Sequence, residues 1–230
     1  MGFTNIPLAL GEQLLLKVKM GDSTQALEFT LEKLEISDLT GNLFTDNTKK
    51  AFWINIYNAY FQILAGKGEK AKPDIFRHKL ITIAGRKFSL DDIEHGILRK
   101  YRWKPSLGCL PQLFPSAIIK SLAVSAIDFR IHFALNCGAK SCPPIAFYKV
   151  DNIDKQLDLA TQSFLESETV IDDDKKTLTV TKLILWFKGD FGGEEKLKKA
   201  LSKYLCKDFT NYRILYKKYN WDMELHKFAG

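Results

Sequence analysis

Aromatic and aliphatic side chains crowd the segment from Asp46 to Ala65, with polar residues before the first apolar turn and Gly66 after the last. The spacing predicts a long buried helix, around which the rest of the chain has to be laid. With 230 residues, 46% of them hydrophobic, the chain can bury a continuous core. One domain over residues 1–230 is expected, with an N-terminal helical hairpin over residues 1–40 packed on it.

The remaining elements read as follows. Leu8 to Met20 and Thr24 to Ile36 show helical spacing around a Gly21-Asp22-Ser23 break. Leu80 to Ala84 and Lys87-Phe88 flank Gly85-Arg86 as a short hairpin, and Ser89 with Asp92 supplies the cap of a helix from Leu90 to Lys100. A loop from Lys104 to Pro115 precedes a helix from Ala117 to Ala126 and a strand from Phe129 to Leu135. Ile153 to Glu168 is helical in period, Val170-Ile171 and Leu178 to Val180 form a hairpin, Glu194 to Lys203 is an amphipathic helix, and Tyr212 to Tyr216 is a further strand. The mixed order predicts an α+β fold, a helical N-terminal part packed on a mainly antiparallel sheet.

Composition excludes several classes. No run approaches the roughly 18 apolar residues of a membrane span, so no transmembrane segment is expected. The start MGFTNIPLAL lacks the pattern of an export signal, and Ile6 stands where a myristoylated chain wants Ser or Thr, so no lipid anchor is expected at Gly2. The net charge of +7 is spread along the chain with no recognition motif beside it, so nucleic acid is not the expected partner. No cofactor is expected; a small molecule or peptide is.

Three segments carry candidate chemistry. In RIHFALNCGAKSCPP, a strand running into a loop would put His132 and Asn136 on one face and Cys137 where the strand gives out, just before Gly138. A thiol beside backbone amides and an imidazole ionises below its usual pKa of about 8.5. Of the four cysteines, at 109, 137, 142 and 206, only Cys137 and Cys142 are close, and their spacing matches neither a redox CxxC nor a zinc signature. The plain alternative makes Cys137 a small buried hydrophobe and Cys142 a loop residue.

In SLDDIEHGILR, Asp91 lies four residues before His95 and faces it on a helix, whereas the adjacent Glu94 diverges by about 100°. Asp91 is therefore the better orienter by geometry, unless both aspartates merely favour the helix start. On the long helix, Asn55 and Asn58 sit one turn apart, and buried amides of this kind either orient an imidazole or tie down a loop.

The motifs AFWINIYNAY, SLDDIEHGILR, IHFALNCGAKSCPP, WFKGDFG and YKKYNWDMEL, in that order, resemble the domain-of-unknown-function family 547 over most of the chain. The likeness runs through Trp53, Asn55, Tyr57, Asn58, Glu94, His95, Arg99, His132, Asn136, Cys137, Ser141, Pro143, Trp186, Asp190, Phe191 and Trp221. It implies that Glu94-His95 and Asn136-Cys137 belong to one pattern, and it supplies no reaction. Family members look exported in many bacteria, which leaves the compartment open.

The leading expectation is a cysteine-dependent hydrolase or acyl transferase of papain-like or transglutaminase-like design. Cys137 is the nucleophile and His95 the base; Asp91, Glu94 or Asn58 orients the imidazole, and amides of the Gly138 turn hold the oxyanion. His132, Asn136, Ser141 and Cys142 support the site. Plant relatives look degenerate at the cysteines, which motivates a competing reading, a binding module using the same cleft. A third assigns His95, His132, Cys137 and Cys142 to a metal.

Overall fold

The computed structural model of the protein describes residues 5–68 and 74–229; the Gly2 expectation lies outside them. Helix α1 (Ile6–Met20) starts on Asn5, whose side chain accepts the Leu8 N–H, and ends on Gly21 at φ 73. With α2 (Gln25–Lys33) it makes the expected hairpin, followed by the short α3 (Ile36–Asn42). Helix α4 (Asp46–Gly66) opens on a reciprocal Thr45–Thr48 cap, and every residue from Lys50 to Gln62 is buried. α1 packs along it, with Gly11 against the Phe52 ring.

Strands β1 (Ile81–Ile83) and β2 (Arg86–Phe88) pair antiparallel around Ala84 and Gly85, both at positive φ as a two-residue hairpin turn requires. Ser89 and Asp92 then cap each other's backbone at 3.0 Å. The helix they open is a π-helix over Asp92–Leu98, with its wide turn carried on by the Arg99 N–H donating to Glu94 O.

Two expectations change here. The strand expected from Phe129 to Leu135 is a 3-10 helix over Phe129–Phe133, opened by the Asp128 carboxylate accepting the Arg130 N–H. A short apolar run does not separate a strand from a buried helical turn, and the Asp128 cap decides it. His132 and Asn136 therefore do not share a strand face. Helix α5 (Ala117–Leu122) also stops short of Ala126, because the Asp46 carboxylate captures the Ser125 and Ala126 N–H groups.

After α6 (Ile153–Glu168), β3 (Val170–Asp172) pairs antiparallel with β4 (Thr177–Val180). Helices α7 (Lys182–Trp186) and α8 (Glu194–Tyr204) lead to β5 (Arg213–Tyr216), parallel to β4. The fold is mixed helix and sheet. Instead of one mainly antiparallel layer, the described residues form two small sheets, a hairpin and a mixed three-strand sheet, set among helices. Buried side chains form two clusters, one around α4 and one joining Phe133, α6, β4 and α8. Among the described residues no helix is long and apolar enough to cross a membrane.

Candidate functional site

A cavity of about 390 Å³ opens where the two clusters meet. Tyr57 of α4, Asp91, Glu94 and His95 at the π-helix, His132 of the 3-10 turn, and Cys137 and Cys142 all line it. The C-terminal cluster adds Leu183, Trp186 and Phe187, and Tyr219 and Trp221 complete an aromatic wall in which neighbouring rings lie 4.6–5.4 Å apart.

The π-helix brings a chain of charge to one side. Arg99, fully buried, forks onto Asp190 through Nε at 2.5 Å and Nη2 at 3.1 Å. Its Nη1 lies 2.6 Å from His95 Nδ1. A guanidinium only donates, so Nδ1 accepts, His95 is neutral, and its proton sits on Nε2, 3.5 Å from Asp91 Oδ1. Lys104 in turn holds Asp91 at 2.9 Å. The His132 Nε2–H donates to Asp190 at 2.8 Å, and its ring lies flat on Phe187 at 3.8 Å.

Burial pushes both imidazoles below the usual histidine value, against the carboxylates beside them. Burial also pushes Glu94 and Asp190 up, but neighbouring basic groups more than offset it, so both carboxyls sit low and ionised. Glu94 accepts the Tyr57 hydroxyl at 3.2 Å.

The thiol segment is clamped from two sides. Asn58 spans Ala134 O and the Asn136 N–H, both at 2.9 Å. Asn136 donates to Pro143 O and accepts the Gly138 N–H. Gly138 has φ 76, and a β-carbon there would lie 2.5 Å from the Phe61 ring, so only glycine makes this turn. On the other side Ser141 accepts the Asn220 N–H, fixing the strand-like tail that delivers Tyr219.

Inside the loop the Cys137 N–H points at Cys142 Sγ at 3.1 Å, and the Tyr219 hydroxyl lies 3.1 Å from Cys142 Sγ and 3.5 Å from Cys137 Sγ. The hydrogen bond from the Cys137 thiol, with those of the Tyr219 hydroxyl and the backbone N–H groups, outweighs burial and brings the Cys142 thiol down to about 7. Serving as donor to Cys142, and burial, push Cys137 up instead. Tyr219 is raised by burial and by the two thiols, so it stays a phenol that donates.

Asp91, Glu94, His95, His132, Cys137 and Cys142 line the cavity; Asn58, Asn136 and Ser141 shape the loop behind it, and Asn55 clasps the Tyr148 backbone, away from either imidazole. Asn58 binds backbone, not an imidazole. The Gly138 amide is taken by Asn136, so it is not free for an oxyanion. Among the described residues neither imidazole hydrogen-bonds a thiol, and no three His, Cys, Asp or Glu side chains gather as metal ligands. Sequence reasoning gave no role to Arg99, Asp190 or Tyr219, although all three stand in the motifs SLDDIEHGILR, WFKGDFG and YKKYNWDMEL.

No curated protein and no solved structure matches the chain. The family described as "Protein of unknown function, DUF547" matches residues 42–165, more than half of the chain and all of its cavity residues up to Cys142, while Asp190 and Tyr219 lie beyond. The chain thus belongs to the DUF547 family.

Proposed function

We propose that the cavity is the active site of a thiol-dependent acyl transferase or hydrolase that acts on acyl thioesters or comparably activated acyl donors. The observation that carries this reading is the Cys142 sulfur, which meets the Cys137 N–H and the Tyr219 hydroxyl inside a cavity. Hydrogen bonds of this kind ionise a thiol near neutrality without a base in contact with it.

The division of labour then differs from the sequence expectation. Cys142 is the nucleophile and Cys137 its donor. The Cys142 thiolate adds to the acyl carbon, and the His95 Nε2–H donates to the carbonyl oxygen as it gains charge, the role a neutral imidazole is suited to. The leaving thiolate departs as an anion, so the step needs no acid. Water or another acceptor then attacks the thioester on Cys142, giving its proton to His132 Nδ1, whose imidazolium Asp190 stabilises; the C–S bond breaks, Cys142 leaves as the thiolate, and His132 passes its proton to solvent. Leu135, Leu183, Phe187 and Trp186 give the acyl group an apolar wall. Only the thiol and the oriented imidazole are shared with papain-like and transglutaminase-like designs.

A panel of acyl thioesters tests this by mass spectrometry of the quenched protein. The expected result is a transient acyl adduct on the Cys142 peptide and turnover that vanishes in Cys142→Ser at unchanged melting temperature. Turnover that persists in that variant overturns it. The aromatic wall, and imidazoles out of contact with the thiols, favour a second reading, an apolar-ligand site without chemistry. That reading expects thermal stabilisation by ligand in wild type and Cys142→Ser alike, with no adduct.

A further inference from the structure

Acyl transfer uses only one of the two cavity thiols as a nucleophile and leaves the Cys137 sulfur without a reaction of its own. Cys137 and Cys142 share one hydroxyl, Tyr219 Oη, at 3.5 and 3.1 Å, and the Cys137 N–H lies on the Cys142 sulfur. All four cysteines are free, but Cys109 and Cys206 are exposed and belong to other segments. Cys142 alone is fully buried among them, with Cys137 half-buried at the cavity. Cys142 Sγ takes the Cys137 N–H and the nearer approach of the shared hydroxyl, whereas Cys137 Sγ meets that hydroxyl at the longer distance, so the loop offers an anion more donors at Cys142; Asn58, Asn136 and Ser141 tie that loop in place.

From this geometry we infer that Cys137 and Cys142 form a hydroperoxide-sensitive redox pair, in which Cys142 is oxidised first and Cys137 resolves it to an intramolecular disulfide. The Cys142 thiolate attacks the outer oxygen of a hydroperoxide. An S–O bond forms, the O–O bond breaks, and the alkoxide or hydroxide leaves and takes a proton from water. Cys137 sulfur then attacks the sulfur of the sulfenic acid; the S–S bond forms, the S–O bond breaks, and hydroxide leaves with the Cys137 proton as water. Two thiols lose two electrons, and the peroxide is reduced to an alcohol, or to water, plus one further water. Tyr219 is the donor common to both sulfurs throughout.

The pairing rests on the loop geometry and stands whether or not the site transfers acyl groups. Its regulatory consequence rests on the acyl-transfer reading: the disulfide removes the nucleophile, so turnover stops under peroxide and returns with a dithiol reductant.

The reduced 230-residue chain, treated with stoichiometric hydrogen peroxide, quenched by alkylation and peptide-mapped, tests the pair. The expected result is that Cys137 and Cys142 leave the alkylated pool together as one disulfide-linked peptide, before Cys109 or Cys206 changes, and that dithiothreitol restores both. In Cys137→Ser, Cys142 is expected to be trapped as a dimedone adduct and then to over-oxidise to sulfinic acid; in Cys142→Ser, Cys137 stays reduced at the same dose. Oxidation of Cys109 or Cys206 first, intermolecular disulfides, or a cavity pair that stays alkylatable under excess peroxide overturns the pairing, and wild type alone decides this if a variant misfolds. A disulfide that forms and reverses in a protein with no thioester turnover leaves the pair standing and removes the acyl-transfer reading.

Discussion

Arg99 aims a guanidinium N–H at His95 Nδ1 across 2.6 Å while the rest of its fork closes on Asp190. One buried cation thereby sets the protonation of two histidines. It keeps His95 neutral with its proton on Nε2, and it shares with His132 the neutralising of Asp190.

Removing that cation leaves the buried Asp190 carboxylate with His132 as its one side-chain partner among the described residues. Arg99→Met is expected to destabilise the fold by about 3–5 kcal/mol in urea unfolding, the usual cost of stripping one member from a buried pair. Arg99→Lys is expected to recover little, because an ammonium cannot make the fork. In the methionine variant His132 should take up a proton for Asp190. A raised histidine adds stability below its unfolded value near 6.5 and loses it as pH climbs, so the variant is predicted to be less damaged on the acid side of 6.5.

The native histidines carry the opposite sign. Burial lowers both His95 and His132 below the ordinary 6.5, so the unfolded chain binds protons that the folded one refuses. Stability is therefore full above 6.5 and is predicted to fall as pH drops from there through the folded values. His95→Gln does not titrate and keeps an acceptor for Arg99. It should flatten that part of the urea-midpoint profile; an unchanged slope would count against a lowered His95.

Asn58 holds the thiol loop by a donor and an acceptor at once. Asn58→Leu leaves Ala134 O and the Asn136 N–H buried without their partner, at a cost of about 2–4 kcal/mol in urea unfolding. The same change should loosen the loop that sets the Cys137 N–H on Cys142, so the midpoint of Cys142 alkylation is expected to move up toward that of a free peptide thiol. A stable Asn58→Leu whose Cys142 midpoint stays at about 7 would mean that the loop holds its shape without the clamp.

How far the sequence carried the fold can be read from individual elements. The apolar run of α4, the Gly21 break and the Ser89–Asp92 cap are local signals, and they return as a buried helix, a left-handed cap and a reciprocal cap. The strand expected from Phe129 to Leu135 failed because alternation over so few residues is shared by a 3-10 turn, and the deciding cap at Asp128 lies just outside the run. The small mixed sheet depends on β5 returning beside β4 across two helices, a long-range pairing that no local pattern records.

The site divides in the same way. Asp91, Glu94, His95, His132 and the two cysteines stand out by residue type, Tyr57 stands only in the motif AFWINIYNAY, and all of them line one cavity. Which sulfur is the more acidic was not readable, because it is set first by the Cys137 thiol donating to Cys142, then by Tyr219 arriving from 77 residues beyond Cys142 and by the Cys137 N–H folding back. The tautomer of His95 was equally hidden, since it follows from the direction of the Arg99 fork.

In the proposed mechanism Cys142 carries the thiolate of the cavity. The most direct measurement is the pH dependence of alkylation at each cysteine, read by peptide mass spectrometry in the reduced wild type and in Tyr219→Phe. The predicted result is a Cys142 profile with its midpoint at about 7, a Cys137 profile well above it, and a Cys142 midpoint that moves up when the Tyr219 hydroxyl is removed. A Cys137 midpoint below that of Cys142, or two thiols that both titrate at or above 9 and ignore Tyr219→Phe, would contradict it.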